Sequence, residues 1–291
     1  MQSAERWLNM KMNTNIKIFL DNFDKYYNQK NNKKNKPALQ KEFKKIRNKF
    51  IDNNNYFLII KKIEKDIKKI KDKSIIFSEI IGTRVAQSKA GNKIQEVTPK
   101  ISKLKKISKK KIKEKLRYHQ TNLGGSIHSD GPQLNQPPKY VIMTCVQNAK
   151  KGGLSIITNA KKIFEFMKKK EPEYLNVLRK NFFFERRGFS FNNSNIFKKP
   201  IFEVKNKLIR FRYLREYIES AYKIKRKIIN SAQLSALSYL DKALTSKKFK
   251  TQYKLQDGDL IIINNNILAH GRSGFKLENK KARSFLRIWV K

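Results

Sequence analysis

A chain of 291 residues with 39% hydrophobic and 11% aromatic content carries enough apolar material for a sizeable core. Wholesale disorder is therefore excluded, despite 68 Lys+Arg against 23 Asp+Glu and a net charge of +45. The single cysteine, Cys145, excludes an intramolecular disulfide framework and a multi-cysteine zinc site and suits a reducing compartment. No apolar run approaches the roughly 18 residues of a membrane-spanning helix. The first residues lack a signal-peptide layout, so the expectation is a cytoplasmic protein without a membrane partner. The charge is spread evenly, +22 over residues 1–120 and +23 over 121–291, so no single basic domain stands out. Such a balance attracts nucleic acid, anionic lipid or acidic metabolites. Yet most of the excess is lysine set among Asn and Ile, as a biased genome would produce, and a generally cationic surface is the simpler reading.

In chain order, residues 1–50 read as a basic, partly helical extension, with helix-period apolar positions at Ile16, Ile18, Phe19 and Phe23 and a solvated loop at Asn31–Lys36. From residue 51 onward a catalytic-sized body follows. Short apolar runs at Phe57–Ile60 and Ser74–Phe77 predict strands, and the lysine-dense Lys103–Lys115 predicts an exposed helix or loop. Tyr140–Val146 reads as a buried strand with Cys145 as a small core residue. Gly152-Gly153 turns the chain into a strand at Leu154–Ile157, and residues 159–180 switch to a helical pattern broken near Pro172. Further strands are expected at Phe182–Arg187, Pro200–Val204 and Leu208–Tyr213, and an amphipathic helix within 231–245. Asp257-Gly258 is a turn leading into a strand ending at Ile263, and Ser284–Val290 is the last strand. Many short strands with helical insertions predict a mainly β sandwich or barrel, not a doubly wound sheet.

Only three histidines exist, His119, His128 and His270. In His128-Ser-Asp130 an imidazole and a carboxylate stand two apart, so on an extended segment both face one side and can share a metal ion. His270, just past an apolar strand, can supply a third donor. Two imidazoles and one carboxylate suit Fe(II) and leave coordination positions open for oxygen chemistry. Alone, His-x-Asp is more commonly a capping or solvated pair. Arg283 and Arg287 lie four apart near the final strand, hence on one face, and a guanidinium fork matches a carboxylate. Gly152-Gly-Leu-Ser155 adds a tight turn and a hydroxyl that can donate to the same carboxylate.

The ordered set His128-Ser-Asp130-Gly-Pro, Pro138-Lys-Tyr-Val, Gly152-Gly-Leu-Ser155, Asp257-Gly-Asp, Asn265-Asn-x-x-x-His270-Gly-Arg and Arg283-x-x-x-Arg287 resembles the taurine dioxygenase/clavaminate synthase-like (TauD/TfdA) branch of the Fe(II)/2-oxoglutarate oxygenases. The likeness covers about residues 55–291, with Phe77–Thr83 as its N-terminal portion. It implies a double-stranded β-helix (jelly roll), iron on His128, Asp130 and His270, 2-oxoglutarate as cosubstrate with O2, and Arg283 with Ser155 on the far carboxylate. Arg287 matches a position that binds 2-oxoglutarate or an anionic group of the substrate. Ser155 departs from the more usual threonine but keeps the hydroxyl. The carboxylate of Asp130 speaks against a halogenase. The implied reaction oxidises a C–H bond and releases succinate and CO2.

The substrate expected on charge is a small anionic or amino-acid-like metabolite. Asn122, Arg186, Arg187, Arg210 and Arg212 are polar residues near strands that can face the site, though arginine is mostly a surface residue. The alternatives are a dioxygenase acting on nucleic acid and a non-enzymatic basic nucleic-acid-binding module; a homo-oligomer is compatible with either.

Overall fold

The computed structural model describes residues 14–29, 33–100, 120–189, 194–277 and 283–291. His119 and Lys103–Lys115 lie outside them.

The chain opens with helices α1 (Thr14–Asn28) and α2 (Lys36–Ile46). Then come strand β1 (Phe57–Ile60), helix α3 (Ile67–Ile81) and short strands β2 (Arg84–Val85) and β3 (Ile94–Val97). Strands β4 (Tyr140–Gln147) and β5 (Ser155–Asn159) lead into helices α4 (Ala160–Lys170) and α5 (Pro172–Leu178). Two hairpins follow, β6 (Asn181–Glu185) with β7 (Ile196–Pro200), and β8 (Phe202–Lys205) with β9 (Leu208–Phe211). Helices α6 (Arg215–Ile224) and α7 (Ser231–Thr245) precede β10 (Lys250–Tyr253), β11 (Leu260–Asn264), β12 (Leu268–Arg272) and β13 (Ser284–Val290).

Two antiparallel sheets face each other. The larger runs β1-β11-β4-β13-β2, with β3 also on β13, and the smaller runs β10-β5-β12. Strands of the larger sheet are apolar on both faces because both are covered. Along β11, Leu260 and Ile262 point to an outer core with α1, α2 and α3, whereas Ile261 and Ile263 point to the core between the sheets. Leu286, Ile288 and Val290 of β13 face out, and Phe285 and Trp289 face in, which places Arg287 in the inward row. Cys145 is fully buried in the inner core, as its strand context predicts. A third core joins α4, α5 and α7 to β6–β9.

The strand expected at Ser74–Phe77 is instead part of α3. Four residues, three of them apolar, cannot distinguish the two periods, but the longer window does. The Asp66 side chain caps the helix by accepting from the Lys69 N–H at 2.9 Å, and Ile70, Phe77, Ile80 and Ile81 are all buried. The loop expected at Asn31–Lys36 is a short turn of helix at Lys33–Asn35, and Lys36 begins α2. Pro200–Val204, read as one strand, is split at Ile201 between β7 and β8, which pair with different neighbours. Helices α1 and α2 share the outer core with α3 and the larger sheet and so are packed against it.

Candidate active site

His128 and His270 meet as a backbone pair. The N–H of His128 donates to the His270 carbonyl at 2.9 Å and the N–H of His270 to the His128 carbonyl at 2.7 Å. A hydrogen-bonded antiparallel pair puts both side chains on one face, and the ring centroids are 4.9 Å apart. Asp130, two residues on, lies at the same point. Its Oδ1 is 3.7 Å from His128 Nε2 and its Oδ2 is 3.6 Å from His270 Nε2. Those separations are too long for direct hydrogen bonds, yet all three donor atoms lie within 4.8 Å of one another.

The surroundings fix these donors. His128 Nδ1 is 2.9 Å from the Ser126 carbonyl, so it carries the proton and leaves Nε2 as the donor to a metal. Asn265 grips the Asp130 backbone from both sides. Its Oδ1 accepts from the Asp130 N–H at 2.8 Å, and its Nδ2 donates to the Asp130 and Pro138 carbonyls at 2.9 and 3.0 Å. Ser129, between His128 and Asp130, is tied to Tyr213: its N–H donates to the Tyr213 carbonyl at 2.9 Å and its hydroxyl oxygen accepts from the Tyr213 N–H at 2.9 Å. Gly131 makes the turn that follows: φ is +69°, and a Cβ there would lie 2.7 Å from the Pro138 ring.

Both oxygens of the Asp130 carboxylate accept a hydrogen bond, from Arg287 Nη1 at 3.0 Å and from Trp289 Nε1 at 2.9 Å. Arg287 is itself held, its Nε donating to Gln87 Oε1 at 2.8 Å and Gln87 Nε2 donating to the Arg287 carbonyl at 2.8 Å. Burial opposes ionisation of Asp130, but the Arg287 guanidinium and the two imidazoles outweigh it, and its carboxyl lies well below the usual carboxylate range. Burial also disfavours both imidazolium forms. At His128 the neighbouring carboxylate prevails and raises its basicity, whereas at His270 burial prevails and lowers it.

The triad opens on a cavity of about 670 Å³ that Ser155, Arg283 and Arg287 also line. Arg283 is buried, its guanidinium 3.8 Å from the centroid of Phe285 and over Phe275. The Gly152-Gly153 turn makes room for it. A Cβ on Gly153, where φ is +70°, would press on Arg283 Nε at 3.3 Å and Cδ at 3.4 Å. Ser155 begins β5 opposite Arg272. All six residues singled out for the site therefore border one cavity.

Of the further polar residues, only Arg187 borders the cavity. Asn122 donates to the Phe275 carbonyl, and buried Arg186 stacks on Phe197 at 4.5 Å. Arg210 is exposed on β9. Arg212 ties down residues 132–135 through three backbone carbonyls, and burial pushes its pKa down to about 10. Trp289 and Gln87 had no role from sequence. Two-residue alternation along β13 from Arg287 would have flagged Trp289; nothing local marks Gln87.

The family described as "Taurine catabolism dioxygenase TauD, TfdA family" matches residues 31–289. The chain belongs to that family. Among relatives of the TauD/TfdA protein, the FR-33289 synthase of Streptomyces rubellomurinus (strain ATCC 31215) is 24% identical over 217 residues, 72% of this chain and 60% of that protein. The gamma-butyrobetaine dioxygenase of Homo sapiens is 24% identical over 162 residues, 54% of this chain and 42% of that protein. The chain thus spans about half the length of these relatives. Asparagine oxygenase in complex with Fe(II), 2S,3S-3-hydroxyasparagine and succinate has the same fold, with a TM-score of 0.67 at 12% identity, over 87% of this chain and 79% of that one. Non-heme iron oxygenase OrfP in complex with Fe and alpha-ketoglutaric acid superposes with a TM-score of 0.63 at 13% identity, over 89% and 83%. The double-stranded β-helix of the TauD/TfdA enzymes is the fold of this chain, and no described helix is long and apolar enough to cross a membrane.

Proposed function

We propose that this TauD/TfdA-family protein is an Fe(II)- and 2-oxoglutarate-dependent dioxygenase that oxidises a C–H bond of a small amino-acid-like metabolite. The convergence of His128, Asp130 and His270 carries the reading. The donor set fits a ferrous ion: two neutral imidazole nitrogens and one ionised carboxylate, a mix of ligands that suits non-heme iron with open positions. Bound there, iron with 2-oxoglutarate and O2 supplies the oxidation and releases succinate and CO2.

The residues of the chain provide position and charge. Arg287 and Trp289 orient the carboxylate of Asp130 by holding one oxygen each, and Ser126 fixes the tautomer of His128. Arg283, confined between Phe285 and Gly153, would present its guanidinium to the far carboxylate of 2-oxoglutarate, and Ser155 lines the same cavity. With its Nη1 on Asp130, Arg287 serves the metal carboxylate first, and its place beside the cosubstrate is secondary. The apolar inner core beneath the triad, with Ile157, Ile261 and Trp289, keeps water from approaching from that side.

Anaerobic titration with Fe(II), followed by assay of succinate formed from 2-oxoglutarate, tests the reading. One ferrous ion per chain and measurable succinate formation are expected, and Asp130→Ala should lose both. Unchanged metal stoichiometry in that variant would refute it.

A further inference from the structure

The segment that ends α6 and leads to α7 reads Lys223-Ile-Lys-Arg-Lys-Ile-Ile229. Four cations and three isoleucines are interleaved there, and no acidic residue stands between Glu219 and Asp241. The backbone is fixed. The Lys227 N–H donates to the Tyr222 carbonyl and the Arg226 N–H to the Lys223 carbonyl, both at 3.0 Å, the double closure of a helix that ends in a left-handed residue. That residue is Arg226, with φ +51°. A cation is thus kept where the backbone favours glycine. At the other end Asn230 caps α7 by accepting from the Gln233 N–H at 2.8 Å. Ile229 packs on the third core, whereas Ile224 and Ile228 are 53% and 92% exposed.

The same surface gathers further charge. Phe183 of β6 pairs with Lys198 of β7, and three ammonium groups lie around its ring, those of Lys198 at 5.1 Å, Lys225 at 5.6 Å and Lys227 at 5.8 Å from the centroid. Attraction to the ring favours each ammonium singly but leaves three like charges crowded together. None of Lys198, Lys223, Lys225, Arg226 or Lys227 has an ion pair among the described residues. The negative end of a helix dipole accounts for cations in the last turn, but not for bare isoleucines among them. Helix α4 shows the contrast. It too ends in three lysines, Lys168, Lys169 and Lys170, yet acids follow at Glu171 and Glu173 and no large hydrophobic side chain is exposed there.

Crowded cations without carboxylates call for an external anion, and exposed isoleucines call for an apolar phase beside it. An anionic lipid surface offers both, with charged headgroups for the lysines and acyl chains just beneath for Ile224 and Ile228. Nucleic acid offers only the first. Its single strands stack on open aromatic faces, and the Phe183 ring is occupied by lysines. We infer that residues 223–229, with Lys198, form a peripheral contact with anionic membranes, in which the two exposed isoleucines enter the headgroup boundary. The shortness of the apolar runs argues only against a spanning helix and does not bear on a segment lying at the interface.

Sedimentation of the full chain with vesicles at about 0.15 M salt tests this. Phosphatidylcholine vesicles carrying roughly 30% phosphatidylserine should bind it, and pure phosphatidylcholine should not. Because a net charge of +45 draws any protein to a negative surface, the deciding comparison is between variants. Ile224→Ser/Ile228→Ser keeps every charge and should weaken vesicle binding at least about tenfold. Lys225→Gln/Arg226→Asn/Lys227→Gln, with asparagine to suit the left-handed turn, should weaken it about a hundredfold, at roughly fivefold per cation. Lys168→Gln/Lys169→Gln/Lys170→Gln removes the same charge from α4 and should weaken it less than about threefold. The tryptophan of an Ile228→Trp variant should be quenched by brominated lipid beyond the response of the wild type. Undiminished binding by the serine variant, equal losses in the two lysine variants, or no added quenching would each leave only the net charge and overturn the inference. An equal loss by the serine variant toward a single-stranded oligonucleotide would show that the isoleucines shape the patch without entering lipid, and would overturn it as well.

Discussion

Asp130 is held at every polar atom it has: its N–H and carbonyl by Asn265, one oxygen by Arg287 and the other by Trp289. A carboxylate so confined cannot swing to a bidentate or solvent-facing rotamer, and its charge is sustained by donors rather than by water. Trp289→Phe keeps the inward ring and removes one N–H, so it should weaken Fe(II) about 10- to 100-fold with little change in melting temperature. Anaerobic metal titration checks this; undiminished affinity would mean that Arg287 alone orients the carboxylate. The proposed metal ligands were legible in the sequence because His128 and Asp130 stand two apart on an extended segment. The donors behind them were not, since Trp289 reaches Asp130 and Gln87 reaches Arg287 only through the tertiary placement of β13.

Among the elements, α3 supplies the aromatic side chain on which two other helices meet. Phe77 is fully buried, with ring centroids 5.7, 5.1 and 5.6 Å from those of Phe19, Phe23 and Phe43, so α1 and α2 dock on one side chain. Phe77→Ala should cost about 3–5 kcal/mol, read from chemical denaturation, and loosen α1 and α2 first in hydrogen exchange. Uniform exchange across the chain would contradict that order. Helix α7 bears a different kind of tie. Asp241 accepts from the Tyr213 hydroxyl at 2.5 Å and from Arg215 Nη1 at 3.2 Å. Burial raises its pKa, and these partners only partly offset the shift. A carboxyl whose folded value exceeds its unfolded one contributes stability below the unfolded value, near pH 4, and loses it as pH rises through the folded value. Asp241→Asn, which can still accept from Tyr213, should therefore gain on the wild type as pH rises from 3 to 7. Melting curves at the two pH values check this, and a gap that shrinks toward pH 7 would reverse the sign. Sequence period located α7 correctly, but at Ser74–Phe77 the apolar run was shorter than one helical repeat and carried no preference.

At the scale of the molecule, +45 spread evenly over the chain is a self-repulsion that folding must overcome. Salt screens it, the Debye length falling from ~30 Å at 0.01 M to ~8 Å at 0.15 M. The melting temperature should rise by about 2–5 °C over that range. A fall would show that surface ion pairs such as Lys71–Glu96 outweigh the repulsion. The two sheets also explain why the site is where it is. His128 lies beside β12 of the smaller sheet and the Arg287–Trp289 row on β13 of the larger, so the triad and its support come from opposite walls of the sandwich.

From the amino-acid sequence alone came the strand alternation, the donor types and their order along the chain, because these depend on residue identity and on spacing within one element. The meeting of His270 with His128 and the diversion of Arg287 to Asp130 were decided by tertiary structure. Each of them joins segments far apart in the chain through backbone pairing between strands or through packing of one element on another, and no local period encodes such a distance.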